Sequence, residues 1–340
     1  VLLIATGAIF SAVPRGFIPI QDKLYLIAGV KLPEGSSIER TDAALKKVAA
    51  AAMSVDGVAH EVAFPVLNPL QFTNTPNSGV VFFPLKPFSE RKLSAKQINE
   101  QINQKIAGIK EGFAFSLMPP PILGLGNGSG YSLFVEDRSG LGYGALQNAI
   151  SAFQGTASQT PGMGFPISSY QANVPQLDAE VDRVKAKAQG VPLTELFDTL
   201  QTYLGSAYVN DFNIIGRTFR VTAQADSAFR LTSKDALNIR VRNANGDAVP
   251  LGSFTTVSDV SGPSRVPRYN LYPAAELDGS AAPGYSQGQA IDIMQKLAAE
   301  TLPPGFTYEW TDLAFQQIRA GNTAVFAFAL GVAFVFLVLA

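Results

Sequence analysis

The feature that most limits what this chain can become is an apolar run at residues 320–340, AGNTAVFAFALGVAFVFLVLA, which carries no charged side chain. At the helical rise per residue, such a run covers most of a bilayer core. The competing reading is a buried core helix. An apolar surface on every side, with Gly331 and Ala333 set among Phe and Val, favours lipid and helix neighbours instead. At the other end, residues 1–13 (VLLIATGAIFSAV) are equally uncharged but too short to span, and Pro14, Arg15 and Gly16 close the run. They read as the end of a membrane helix. With no basic segment before them, no cleavage site after them and no initiator methionine, a signal peptide is not expected, and the chain reads as part of a longer protein.

Between these ends the composition is that of a water-soluble protein, so two membrane segments bracket one region outside the bilayer. Few Lys or Arg residues flank them, which favours the non-cytoplasmic side. With 26 basic and 27 acidic residues, the chain offers no electrostatic footprint for DNA or RNA. It has no cysteine, which excludes disulfides, thiolate metal sites and thiol nucleophiles. The one histidine, His60, cannot build a histidine-rich zinc site and reads as a surface residue. Acidic residues are dispersed, without the paired spacing of a glycoside hydrolase. The GLGNGSG segment at 124–130 precedes a strand rather than a helix, and so reads as a seam and not a phosphate loop. No enzymatic activity, cofactor or metal is expected.

Hydrophobic periodicity organises the middle. A strand at 24–30 runs through LPEGSS into a helix at 38–53, where Ile38, Leu45, Val48 and Ala52 recur at helical spacing. The same grammar returns when a strand ending near Leu277 turns through AAPGYS into a helix at 287–301 carrying Ile291, Met294 and Leu297 on one face. Further helices at 95–109 and 146–158 adjoin strands at 113–117 and 131–136. The expected fold is α+β, with repeated βαβ units forming ferredoxin-like sandwiches that meet at the Pro-Gly-rich run MPPPILGLGNGSG. Residues 176–261 differ in texture, with helices at 182–189 and 193–204, then a long hairpin at 209–224 turning at Ile215-Gly216. Its mixed apolar and polar arms fit either a reach into a neighbouring subunit or a hairpin standing in solvent.

Taken together, FIPIQD after an apolar tail, KLPEGSSIERT, FAFSLMPPPI, SAYVNDF, GRTFRV and AAPGYSQGQA followed by Trp310 resemble one family. This is the resistance-nodulation-division group of multidrug exporters of the AcrB type, in the second periplasmic half between transmembrane helices seven and eight. The resemblance runs in order over the whole chain. It implies the end of a transmembrane helix at 1–14 and a first porter subdomain at 21–123. A second porter subdomain would combine 124–175 with 265–318, a docking subdomain with a protruding hairpin would fill 176–264, and 320–340 would start another transmembrane helix. It further implies a proton-driven exporter of hydrophobic and amphiphilic compounds in a bacterial inner membrane, with this segment mostly periplasmic. A homotrimer, a periplasmic adaptor protein and an outer-membrane channel would be its partners. The proton-relay residues would lie on other helices, since the apolar ends hold no ionisable group.

An exporter of oily amphiphiles needs an aromatic-lined cavity, and 23 Phe are enough to line one. Period-two spacing places Phe113, Phe115 and Leu117 on one sheet face, which either packs under the helices or lines a substrate path. Family likeness favours the path. It also makes 63–79 a switch loop between entrance and deep pockets, irregular through Pro65, Pro69, Pro76 and Gly79, with Phe64 and Phe72 as aromatic contacts. Phe82 and Ile27 match family pocket positions. Asn210, Asp211, Phe212, Gly216 and Arg217 would form the docking hairpin. Where some family members have an arginine near the substrate entrance, this chain has Ile167, implying weaker handling of anionic drugs. The rival readings are a related exporter of lipids, hopanoids or metal ions, and a membrane-tethered assembly or sensor module that transports nothing. Four scattered Met argue against metal export.

Overall fold

The computed structural model describes residues 17–126, 128–321 and 323–340. The described residues fall into two compact units, 17–174 with 263–340, and Pro175–Gly262.

The first unit holds two sandwiches of the same winding. In the first, strand β1 (Tyr25–Lys31) leads to helix α1 (Ile38–Met53), the hairpin β2 (Val62–Asn68) and β3 (Thr73–Pro84), helix α2 (Ala95–Ile106) and strand β4 (Phe113–Leu117). The sheet order is β2-β3-β1-β4, with antiparallel pairing throughout. Both helices cover one face, to which alternate residues of each strand point. Leu26, Ala28 and Val30 of β1 and Val81 and Phe83 of β3 meet Leu45, Val48 and Ala52 of α1 and Ile98, Ile102 and Ile106 of α2. Each fully buried isoleucine contributes about 2 kcal/mol. Ser37 caps α1 by accepting from the Arg40 N–H, and Ser94 with Gln97 closes a capping box on α2.

The second sandwich repeats this from separated pieces. Strand β5 (Tyr131–Asp137) and helix α3 (Tyr143–Gln159) precede the second unit in sequence; β12 (Arg268–Tyr269), β13 (Tyr272–Gly279), helix α7 (Gln287–Thr301) and β14 (Phe306–Thr311) follow it. The sheet order β12-β13-β5-β14 mirrors that of the first. Tyr131, Leu133 and Val135 pack beneath Leu146, Ile150 and Phe153 of α3 and Ile291 and Met294 of α7, with Trp310 in the same core. The capping box recurs on α7, between Ser286 and Gln289.

The second unit contains the sheet pair β6 (Val174–Val181) and β11 (Thr255–Gly262), helices α4 (Arg183–Ala188), α5 (Leu193–Leu200) and α6 (Ser233–Asn238), and a ribbon of β9 (Arg240–Arg242) with β10 (Ala248–Pro250). A small core of Ala186, Leu196, Val241, Leu251 and Phe254 holds it together. The hairpin β7 (Ala207–Ile214) with β8 (Arg217–Ala223) is exposed along both arms.

Of the two apolar ends, the described residues include only the second. The membrane segment read at 1–14 lies outside the described residues. The run at 320–340 folds as α9 (Thr323–Leu339), 17 residues long, after the amphipathic α8 (Asp312–Ala320). Gly321, with φ +53°, caps the end of α8. Among the described residues no helix is long and apolar enough to cross a membrane. Leu330, Phe334, Phe336, Leu337 and Leu339 of α9 are all exposed.

Candidate functional site

The first sheet has a helix-free face, and its parity is set by register. Ile27 lies opposite Leu117 and Phe82, Gly29 opposite Phe115 and Val80, and Lys31 opposite Phe113 and Ser78. On β2, Phe64 lies opposite Val80. Phe113, Phe115, Leu117, Phe82, Phe64 and Ile27 therefore share one face of the sheet, and none belongs to the core beneath α1 and α2. The reading that placed the β4 aromatics under the helices is excluded. That side of β4 belongs to Ala114, which packs on the core, and to Ser116, whose hydroxyl donates to Asn99 Oδ1 at 2.7 Å.

Aromatic contacts extend along this face. Phe64 meets Phe82 edge to face at 5.9 Å, and Phe113 stacks on Phe115 at 5.6 Å. Phe113 also stacks on Phe165, in the connection after α3 of the second sandwich, at 5.2 Å. Between the sandwiches lies a small cleft, partly open to solvent. Phe113, Phe115, Pro69 and Leu70 line one side and Ile167 to Ser169 the other, with Lys31, Asn68 and Ser78 as polar lining from the first sandwich. Phe165 and Lys31 were not singled out from sequence; the parity running Ile27, Gly29, Lys31 marks the lysine, whereas nothing local marks Phe165.

The segment expected as an irregular loop is a β-hairpin. Proline is tolerated in β2 because that strand is at the sheet edge, where Pro65 pairs with Gly79 and a missing N–H leaves no ladder partner unsatisfied. The irregularity is confined to a bulge between Pro65 and Leu67, with Val66 at φ +76°, and to the tip, where Phe72 has φ +49°. Asn68 holds the tip by accepting from the Leu70 N–H at 2.9 Å. Pro69 folds over the sheet onto Gly29, where an added Cβ would lie 2.5 Å from Pro69 Cγ and 2.9 Å from Phe115 Cζ. Phe72 stands exposed at the tip. Gly79 faces the helices, and a Cβ there would lie 3.0 Å from Leu45, so it is a close-approach position.

The opposing wall rests on β13. The Ile167 N–H donates to the Asp278 carbonyl at 2.7 Å, the Asp278 N–H returns one to Ile167 at 2.9 Å, and the Ser168 hydroxyl donates to the Glu276 carbonyl at 2.6 Å. On the same strand, burial pushes the Glu276 carboxyl up to about 7 against the opposing pull of a 3.3 Å bond from Ser132, with Asp312 adding repulsion and Arg265 attraction. Burial and then Glu276 raise Asp278, and burial raises Asp312. Arg265 reaches across to the hairpin tip, donating to Gln71 and, at 3.1 Å, to the Thr73 hydroxyl.

In the second unit, the residues expected for docking fall on the exposed hairpin. Asn210 pairs with Val221, Asp211 with Arg220, Phe212 with Phe219 and Ile214 with Arg217. The turn uses Ile215 at φ +49° and Gly216 at φ +68°, and Ile215 is almost fully exposed. Phe212 stacks on Phe219 at 5.5 Å, and Arg220 lies over the Tyr208 ring at 5.3 Å. Among the described residues no three acidic or histidine side chains are grouped to hold a metal ion.

By architecture, then, the chain falls in the class of tandem ferredoxin-like α+β modules, with an aromatic cleft between the two sandwiches. The AcrB/AcrD/AcrF family model matches residues 1–340, and the chain belongs to that family. It is 36% identical to the multidrug export protein AcrF of Escherichia coli (strain K12), over 99% of this chain and 33% of that protein. It is 33% identical to the toluene efflux pump membrane transporter TtgB of Pseudomonas putida, over 99% of this chain and 32% of the relative. The solvent-resistant pump membrane transporter SrpB, from the same species, is likewise 33% identical, over 98% of this chain and 32% of its own length. The chain thus spans about a third of the length of the curated relatives it matches.

Proposed function

We propose that this chain is the substrate-binding and docking portion of a proton-driven exporter of hydrophobic and amphiphilic drugs, set in a bacterial inner membrane with this segment mostly periplasmic. The observation that carries the reading is the aromatic cleft between two sandwiches, together with relatives named as multidrug, toluene and solvent pumps. Phe113, Phe115 and Leu117 form its substrate strip, with Ile27, Phe64 and Phe82 continuing along the same face and Phe72 at the tip that moves over it. The hairpin carrying Pro65, Pro69 and Gly79 acts as the switch. The first porter subdomain is 21–123 and the second 124–175 with 265–318. The docking subdomain at 176–264 presents its hairpin to a neighbouring copy in a homotrimer, working with a periplasmic adaptor and an outer-membrane channel.

The geometry suggests how such a cleft opens. The Phe113–Phe165 stack, the Lys31 bond to the Ser169 carbonyl and the Arg265 bonds to the hairpin tip cross between the sandwiches. An aromatic pair contributes about 0.5–1.5 kcal/mol and each exposed hydrogen bond about as much. Together these amount to a few kcal/mol, which differential binding of a ligand or of a proton elsewhere in the protein can offset. Drug susceptibility tests the reading: a pump-deficient bacterium carrying the full-length gene becomes resistant, and Phe113→Ala with Phe115→Ala abolishes most of that gain. Unchanged susceptibility in every strain would favour the lipid-exporter or assembly readings.

A further inference from the structure

The cleft sets phenyl rings among several polar groups, two of which, Lys31 and Ser78, lie side by side on the same face of the first sheet. Lys31 and Ser78 are cross-strand partners, and Lys31 is also opposite Phe113. Both line the cleft. Ser78 is 1% exposed, and its hydroxyl has no hydrogen-bond partner. A buried hydroxyl normally finds one, so its place in a cleft lining marks a position where a ligand atom or water completes it. The Lys31 ammonium has three donors. It makes one long bond, 3.4 Å to the Ser169 carbonyl, and a loose ion pair, 3.6 Å to Glu34. An ammonium and a hydroxyl beside stacked phenyl rings form a receptor for a negatively charged oxygen on an aromatic body.

We propose that Lys31 and Ser78 make the cleft selective for amphiphiles that carry a carboxylate or sulfonate, the head at this pair and the rings on Phe113 and Phe115. This rests on the cleft being the ligand site, and it names the substrate class that site prefers. It also runs against the expectation drawn from Ile167, because a cation reaches the same cleft from the facing strand. Glu34 does not cancel the effect: at 3.6 Å it makes a loose, partly solvated pair with the ammonium, and such pairs are weak.

The test uses two fluorescent probes with one skeleton, anilinonaphthalene sulfonate and the uncharged N-phenylnaphthylamine, titrated against full-length protein in an uncharged detergent. Lys31→Met weakens the sulfonate about three- to tenfold and leaves the neutral probe within twofold, while Lys31→Arg restores the sulfonate. Ser78→Ala weakens the sulfonate about two- to fivefold, again sparing the neutral probe. Phe113→Ala weakens both. If Lys31→Met and Ser78→Ala leave the ratio of the two affinities unchanged while Phe113→Ala still weakens both probes, the charge-selecting pair is wrong and the cleft stands. If Phe113→Ala affects neither probe, the cleft itself is not the site and the inference falls with it.

Discussion

Replacing Glu276 by glutamine separates a structural carboxylate from a titrating one. Its carboxyl sits on β13 beneath the cleft wall, with Asp278, Asp312, Ser132 and Arg265 around it, and is pushed up to about 7 from an ordinary 4.5. An acid whose pKa is higher folded than unfolded binds its proton more tightly in the fold. Stability is therefore fullest below about 4.5, falls as pH rises toward 7 and is flat above. At 1.36 kcal/mol per pH unit, the full effect of one isolated group would be about 3 kcal/mol. Partial solvent contact, and sharing of the proton with Asp278, reduce this to about 1–2 kcal/mol. Hydrogen–deuterium exchange of peptides covering Tyr272–Gly279, corrected for the intrinsic pH dependence of exchange, reads it locally. Protection drops about five- to thirtyfold between pH 5 and pH 8 in the native protein. Glu276→Gln removes roughly half of that drop, and Glu276→Gln with Asp278→Asn removes nearly all of it. Protection that rises over this interval, or that falls equally in the double variant, would refute the reasoning.

Two other perturbations bear on the first sandwich. Gly29→Ala forces a methyl into Pro69 and the Phe115 ring and costs about 1–3 kcal/mol; Pro69→Ala in the same chain recovers at least half of the lost thermal stability, whereas strictly additive effects would show that the two do not touch. Asp22→Asn removes the charge that faces Arg91, whose side chain is almost fully buried and bonds Asp22 at 2.5 Å, and leaves one neutral amide oxygen as a weaker acceptor for Arg91 and for the Ala95 N–H at the start of α2. Burial opposes the charge on Asp22, but the Arg91 and backbone bonds outweigh it and hold the carboxyl below its usual range. This contribution is present at neutral pH and fades as pH falls through the acid range; the variant loses about 2 kcal/mol in denaturant unfolding near pH 7 and less below pH 4.

Local signals carried much of the architecture. The helices Ile38–Met53 and Gln287–Thr301 and the strand Phe113–Leu117 begin and end where capping serines, turn residues and periodicity place them. Parity alone put Phe113, Phe115 and Leu117 together, but which side of the sheet they occupied depended on helices whose packing no window of sequence contains. The prolines of 63–79 looked like loop chemistry because edge position is a property of the sheet order, visible only once β2 is known to have a single neighbour. Phe165 and Arg265 were missed for the same reason: their partners, Phe113, Gln71 and Thr73, are distant in sequence and belong to the other sandwich. Ser78 carries no signal until its missing hydrogen bond is seen. At the C-terminal run, the absence of charge marked the apolar helix Thr323–Leu339 directly.

The broken continuity of the second sandwich also sets an order of events during synthesis. Everything the first sheet needs has left the ribosome once β4 is made, and its strands are all supplied within one stretch of chain. Strand β5, by contrast, has both of its neighbours, β13 and β14, on the far side of the segment Pro175–Gly262, and emerges with its pairing edges bare. Nascent chains halted anywhere in that interval hold one finished sandwich and one exposed apolar strand. A strand with bare pairing edges is where chaperone capture, or mispairing with another chain, is expected.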